Sequence, residues 1–278
     1  MKLKKLLSGI LYYIRKNDNE LKASSLCGVP LNTYKGTIRL TPDQDDTWFF
    51  HLAKHHNLIF DIGANIGYTA LLAMIQNPNR EYVLVDPNRS ALQKALGNLL
   101  NNNLGFKANY YPAFVSDKSN QVVKFYTLGA GAAGSMHASH AESAASVGAF
   151  KEVSTVTLDF LYAYYNLKPD LVKIDVEGAE TLVMEGAKVM AKKIKCTFFI
   201  EMHSVKDLGM EKATDMMIAW SKEMGYKVWY LKTGEELTSG KPVATRGKCH
   251  LLLLPKENSY FSYLKGIKQN EPLPKTIS

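Results

Sequence analysis

Phe60-Asp61-Ile62-Gly63-Ala64-Asn65-Ile66-Gly67-Tyr68-Thr69 is the stretch that decides the fold. The apolar run Leu58-Ile59-Phe60 reads as a buried strand. It runs into a glycine-rich turn, and Tyr68 to Gln76 reads as a helix. Strand, turn and helix together make a nucleotide cradle: glycine lets the backbone approach a ligand, and the first helical N–H groups face it. Gly63 and Gly67 flank Asn65 as G-x-N-x-G, which is not the G-x-G-x-x-G of dinucleotide folds. No P-loop lysine follows either.

Working outward, strand-like and helix-like runs alternate, the pattern of a parallel α/β sheet. Tyr82-Val83-Leu84-Val85 ends at Asp86-Pro87, and Arg89 to Asn102 reads as a helix. A third strand is expected over Ala108–Val115 and a half-exposed one over Val122–Thr127. Val153–Leu158 is strand-like, with Thr157 or Asp159 capping a short helix. Asp170 to Asp175 is a buried strand, followed by a helix over Ala179–Lys192. Thr197 to Glu201 is the next strand and Met210–Met224 a helix with Gly225 as its stop. Tyr226–Leu231 and His250–Leu254 follow without an intervening helix and read as an antiparallel edge hairpin. Leu128 to Phe150, rich in Gly, Ala and Ser with His137 and His140, reads as a long substrate-side loop.

Ligands of open α/β sheets sit beyond the carboxyl ends of the strands. That edge collects Asp61 and Asn65, then Asp86, then Asp175 and Glu177, then Glu201 and His203. One acid at a strand end is commonly a helix cap; four strands ending this way form a constellation. Asp86 lies about twenty residues past the turn, where a ribose-binding carboxylate is expected. Two carboxylates beside the turn suit a cationic ligand carrying a ribose and an amino group, as S-adenosylmethionine does.

FDIGANIGYTA, VDPN, VKIDVEGAE and FIEMH stand in the order and spacing of the FkbM-family methyltransferases, which the chain resembles over roughly Leu58 to Leu254. The resemblance implies a Rossmann-like class I methyltransferase fold: a mostly parallel seven-stranded sheet with an antiparallel edge hairpin. It implies a methyltransferase domain at 58–278 behind an N-terminal extension at 1–57. It implies an S-adenosylmethionine-dependent enzyme, with a hydroxyl of a sugar, glycolipid or related molecule as acceptor. Asp61, Gly63, Asn65 and Gly67 would hold the methionine part and Asp86 the ribose. Ala64 and Asn88 complete the cofactor set. Ala113 and Phe114 would border the adenine, and Asp175 would face the donor amino group or the reacting centre.

Methyl transfer to an alcohol gains about 10²–10⁴-fold from a positioned base. His203 is the first candidate, with Glu201 to orient its ring; Asp175 and Glu177 are the second choice. Lys173 points to the same side of its strand as Asp175 and pairs with an acid or joins the chemistry. Asp175, Glu201 and His203 are also ligands for Mg²⁺, an alternative not favoured because no dedicated metal spacing is visible.

The chain of 278 residues is 46% hydrophobic, enough for a sizeable core, and carries a net charge of +8. Its lysines are spread throughout, so a solvated basic surface is the simpler reading than a nucleic-acid face. RNA methylation is a second hypothesis and a non-catalytic donor-binding module a third. Cys27, Cys196 and Cys249 show no C-x-x-C spacing and suit a reducing, cytoplasmic compartment. In Met1–Arg15, Leu3, Leu6, Leu7, Ile10, Leu11 and Ile14 share one helical face beside clustered lysines. That segment reads as a helix packed on the domain, with peripheral contact to the inner membrane surface or a signal segment as the alternatives.

Overall fold

The computed structural model describes residues 20–39, 41, 43, 45–127, 134–136, 146 and 148–275. Residues 1–15, His137, His140 and most of the 128–150 loop therefore lie outside the described residues. Among the described residues no helix is long and apolar enough to cross a membrane.

A hairpin of β1 (Leu21–Leu26) and β2 (Val29–Tyr34) comes first, followed by α1 (Asp46–Lys54). Then β3 (Leu58–Ile62), α2 (Tyr68–Met74), β4 (Glu81–Val85), α3 (Arg89–Leu100) and β5 (Ala108–Tyr111) alternate as the sequence requires. A small three-stranded sheet of β6 (Phe114–Val115), β7 (Val122–Tyr126) and β8 (Phe150–Val156) intervenes. The main sheet resumes through α4 (Leu158–Tyr165), β9 (Leu171–Ile174), α5 (Glu180–Glu185), α6 (Lys188–Ile194) and β10 (Thr197–His203). It closes with α7 (Met210–Met224), β11 (Tyr226–Tyr230), β12 (Glu235–Glu236) and β13 (Lys248–Pro255).

The main sheet has eight strands in the order β12-β11-β13-β10-β9-β3-β4-β5. From β5 to β10 every pairing is parallel. The expected antiparallel pair of the last two long strands is present, β11 on β13 toward one edge, but the expected count of seven strands is corrected. The antiparallel strand is β13, which lies between β10 and β11. A two-residue β12 then adds an eighth strand at the rim. The expected strand over Ala108–Val115 is also two strands in two sheets. Pro112 between them has no N–H for the ladder, and the chain turns there into β6.

Alternation along the strands feeds two cores, one on each face. Phe60, Ile62, Val172, Ile174, Phe198 and Ile200 pack on one face; Ile59, Leu171, Phe199 and Leu252 pack on the other. Both faces are covered, so the strands read as continuous apolar runs. Trp48, Phe49 and Phe50 of α1 belong to the second core, and Phe49 stacks on Phe199 with ring centroids 6.1 Å apart. Each such ring stabilises the fold by roughly 2–3 kcal/mol. Residues 45–57, read as part of an extension, are thus a wall of the same domain.

The expected helix over Ala179–Lys192 is broken into α5 and α6 at Gly186. A Cβ there would meet the Ser116 carbonyl oxygen at 2.2 Å, so this helix pair touches the small sheet through bare backbone.

Candidate active site

Odd-numbered residues of β3, β9 and β10 share one face. There the apolar pattern gives way to Asp61, Lys173, Glu201 and His203 near the carboxyl ends. Register sets Asp61 opposite Lys173 and Glu201 opposite His250 of β13. The two rows form a buried polar seam, and Asp45, at the start of α1, lies against it.

At the crevice where the chain switches from one side of β3 to the other lies a cavity of about 180 Å³. The turn after β3 lines it with Gly63, Ala64, Asn65 and Thr69; the end of β4 with Asp86, Pro87 and Asn88; the end of β9 with Lys173, Asp175, Val176 and Glu177. The segment before α1 adds Gly36, Thr37, Arg39 and Asp45, and the small sheet adds Phe125 and Gly134.

The turn is held from within. Gly63 and Ala64 both donate to the Val85 carbonyl, at 2.8 and 3.1 Å, and Gly67 donates to Ala64 at 2.9 Å. Asn65 N–H donates to Asp86 Oδ2 at 2.9 Å, and Asn88 N–H to Asp86 Oδ1 at 2.7 Å. These five amide groups, four of them in the turn, are spent within the protein. Gly63 has φ +88°, and a Cβ on it would stand 1.8 Å from the Asp175 carbonyl oxygen. Only glycine permits β3 and β9 to diverge this closely around the crevice. Burial pushes the Asp86 carboxyl up to about 6, against the pull of the two amides.

Lys173 lies 3.5 Å from both Asp61 and Asp175. Burial alone would lower its pKa; Asp61, Asp175, Asp45 and Glu201 together raise it, so the ammonium stays charged. Asp61 sits beneath the cavity, completely buried, and accepts from Thr69 Oγ1 at 2.6 Å and Tyr82 OH at 2.8 Å. It was expected to touch the cofactor, and it adjoins the cavity through Lys173 and Thr69, which line it.

His203 Nδ1 pairs with Glu180 Oε1 at 2.9 Å, and its Nε2 lies 3.4 Å from Glu177 and 3.5 Å from Glu201. Burial opposes its charge, but Glu180 and Glu201 outweigh it and push the imidazole up to about 11. A ring that already holds its proton at neutral pH cannot take another. The expectation of His203 as general base therefore has its pairing with Glu180 and Glu201 against it. Glu201 is likewise drawn away from the cavity: burial would raise its pKa, but His203, His250 and Lys248, the last at 2.6 Å, hold it far below the carboxylate range. Glu177, by contrast, faces the cavity. Burial pushes it up to about 7, with His203 partly offsetting the rise.

Ala113 and Phe114, expected beside the adenine, are buried and are not among the residues that line the cavity, whereas Pro87, Asn88 and Phe125 are. The expected metal set of Asp175, Glu201 and His203 is divided. Asp175, Glu177 and His203 bring ligand atoms within 4.8 Å of one another, and so do Asp45, Glu201 and His250. Lysine already supplies the cation in each, Lys173 at Asp175 and Lys248 at Glu201.

The residues fit S-adenosylmethionine. Asn65 Oδ1 is buried without a hydrogen-bond partner at the cavity wall, an acceptor suited to an ammonium or hydroxyl donor. Asp86 keeps free lone pairs for ribose hydroxyls beyond its two amide bonds. Asp175 and Glu177 add negative charge for a cationic donor.

Sequence reasoning missed Arg39, Asp45, Phe125 and Glu180. Glu180 stood inside VKIDVEGAE, and its place at the start of a helix beside the strand ends was the available signal. No local pattern marks Arg39 or Asp45 as part of a crevice built by strands further along.

No curated protein sequence matches the chain. Among solved structures, the FkbM methyltransferase of Methylobacillus flagellatus is 12% identical with a TM-score of 0.43; the match covers 79% of this chain and 45% of that one. TYW2 of Pyrococcus horikoshii, in complex with MeSAdo, is 12% identical with a TM-score of 0.42, over 84% of this chain and 70% of that one. A methyltransferase of Geobacter sulfurreducens is 10% identical with a TM-score of 0.43, over 78% and 80%. This chain thus spans less than half the length of the Methylobacillus protein. The sequence model of the methyltransferase FkbM domain matches residues 61–228, more than half of the chain and the whole run from the glycine turn to β11. The chain belongs to the FkbM family of S-adenosylmethionine-dependent methyltransferases.

Proposed function

We propose that the protein methylates a hydroxyl group of a sugar or glycoconjugate, with Glu177 as the base. The observation that carries this reading is the position of Glu177: a carboxylate on the cavity wall with a pKa near 7, 3.4 Å from the His203 ring. Bound in the cavity, S-adenosylmethionine supplies an electrophilic methyl group and a good leaving group. Asn65 and Asp175 hold its ammonium end and Asp86 its ribose. Glu177 accepts the proton of the acceptor hydroxyl, and the His203 imidazolium, fixed by Glu180, steadies the carboxylate. Alignment of acceptor and methyl does the rest.

The acceptor class is supported by the wall itself. Asp45, Asp175 and Glu177 offer acceptors to a polyol and repel a phosphate backbone. That charge argues against the RNA alternative more directly than overall composition does. Peripheral membrane contact through residues 1–15 is the companion proposal for a lipid-linked acceptor.

The test is S-adenosylhomocysteine release against a panel of sugars, nucleotide sugars, glycolipids and tRNA. Turnover is expected with a polyol acceptor; turnover with tRNA alone contradicts the reading. Glu177→Gln should lower kcat by about 10²–10⁴-fold, a far larger effect than its loss of donor affinity. Wild-type kcat/KM should rise with pH through about 7, where Glu177 ionises. An unaltered kcat in Glu177→Gln removes the base assignment.

A further inference from the structure

The donor site as built lacks an obvious partner for one end of its ligand. S-adenosylmethionine has an α-carboxylate, and the cavity wall is dominated by acids. The amides of Gly63, Ala64, Asn65 and Gly67 are already bonded within the protein and leave that carboxylate no charged partner in the turn. The helix after the turn has seven residues, too short for a useful dipole. Two cations line the cavity, Lys173 and Arg39. Lys173 is buried and shared between Asp61 and Asp175.

Arg39 differs. Its Nη1 meets Asp46 at 2.9 Å and Asp43 at 3.4 Å, and its guanidinium lies over the Tyr68 ring at 4.5 Å. These contacts fix the plane of the group, and its side chain remains 40% exposed. Among the described residues, Nη2 and Nε have no partner. Asp46 is itself pinned, accepting from Asp43 N–H at 2.7 Å and Tyr68 OH at 3.1 Å. A guanidinium held on one edge and open on the other is a fork for a carboxylate.

We propose that Arg39 binds the α-carboxylate of the methyl donor and thereby selects the intact amino-acid tail. The proposal rests on the reading of the cavity as the donor site. It places a specificity-determining residue in the segment before α1, outside the stretch at 61–228 matched by the family model.

Decarboxylated S-adenosylmethionine keeps the sulfonium, amine and ribose and lacks only the carboxylate, so it isolates the contact. In calorimetric titrations the wild type should prefer the intact donor over the decarboxylated one by about 10- to 100-fold, the range for a charge-assisted pair. In Arg39→Gln that preference should collapse to within about threefold, while affinity for the decarboxylated donor stays put. Arg39→Lys, which keeps charge without the fork, should fall between the two and guards against misfolding of the first variant. Equal loss for both ligands, or an undiminished preference in both variants, overturns the proposal while leaving the donor site standing. Failure of the wild type to bind either ligand overturns the donor site and this proposal with it.

Discussion

At the scale of the residue, Asp86 shows how a binding group costs stability. Its carboxyl is buried and raised from 3.8 to about 6, so the folded protein keeps a proton that the unfolded chain has released. Stability from this group is complete below about pH 4 and is lost as pH rises through about 6; two pKa units amount to roughly 3 kcal/mol. Asp86→Asn lacks that dependence. The stability of the variant minus that of the wild type should therefore increase by about 2–3 kcal/mol between pH 4 and pH 7 in denaturant titrations. A constant difference would mean that Asp86 is ionised throughout. The sequence displayed this carboxylate through its spacing from the turn. It did not display which acids face the ligand, because Asp61, Asp86, Asp175 and Glu201 look alike at strand ends. The difference is made by neighbours distant in the chain: Thr69 and Tyr82 draw Asp61 under the floor, and Lys248 and His250 draw Glu201 sideways. The pairing of His203 was hidden for the same reason, since Glu180 arrives from another element.

At the scale of the element, the turn after β3 works through shape. Gly63 and Gly36 have similar angles, φ +88° and +85°, but a Cβ on Gly36 meets nothing within 4 Å, whereas one on Gly63 strikes the Asp175 backbone. Gly36→Ala should cost about 1–2 kcal/mol, the left-handed penalty alone. Gly63→Ala should cost on the order of 4 kcal/mol or more, since backbone cannot move aside as a side chain can. Equal costs in urea denaturation would show that close approach of β3 and β9 is not what demands glycine. Elements with a strong period were legible: α7 spans Met210–Met224 as the pattern requires. Breaks imposed by packing were not. Nothing in the helical periodicity of 179–194 announces that Gly186 must lie against Ser116.

At the scale of the whole molecule, the site is assembled from three layers. The parallel sheet supplies Asp86, Lys173, Asp175 and Glu177; the small sheet supplies Phe125; the segment before α1 supplies Arg39 and Asp45. Sequence alternation revealed the first layer, because strand ends recur and can be counted. The other two have no repeating pattern, and they join the site only because Trp48, Phe49 and Phe50 anchor α1 in the core and Phe114 packs on Phe125. The central claim is that these layers enclose the methyl donor. Isothermal titration with S-adenosylhomocysteine tests it most directly. One equivalent should bind per chain, and Asp86→Ala should weaken binding by at least about tenfold while the fold survives. No heat with S-adenosylhomocysteine, or saturable binding of NAD in its place, would contradict the account.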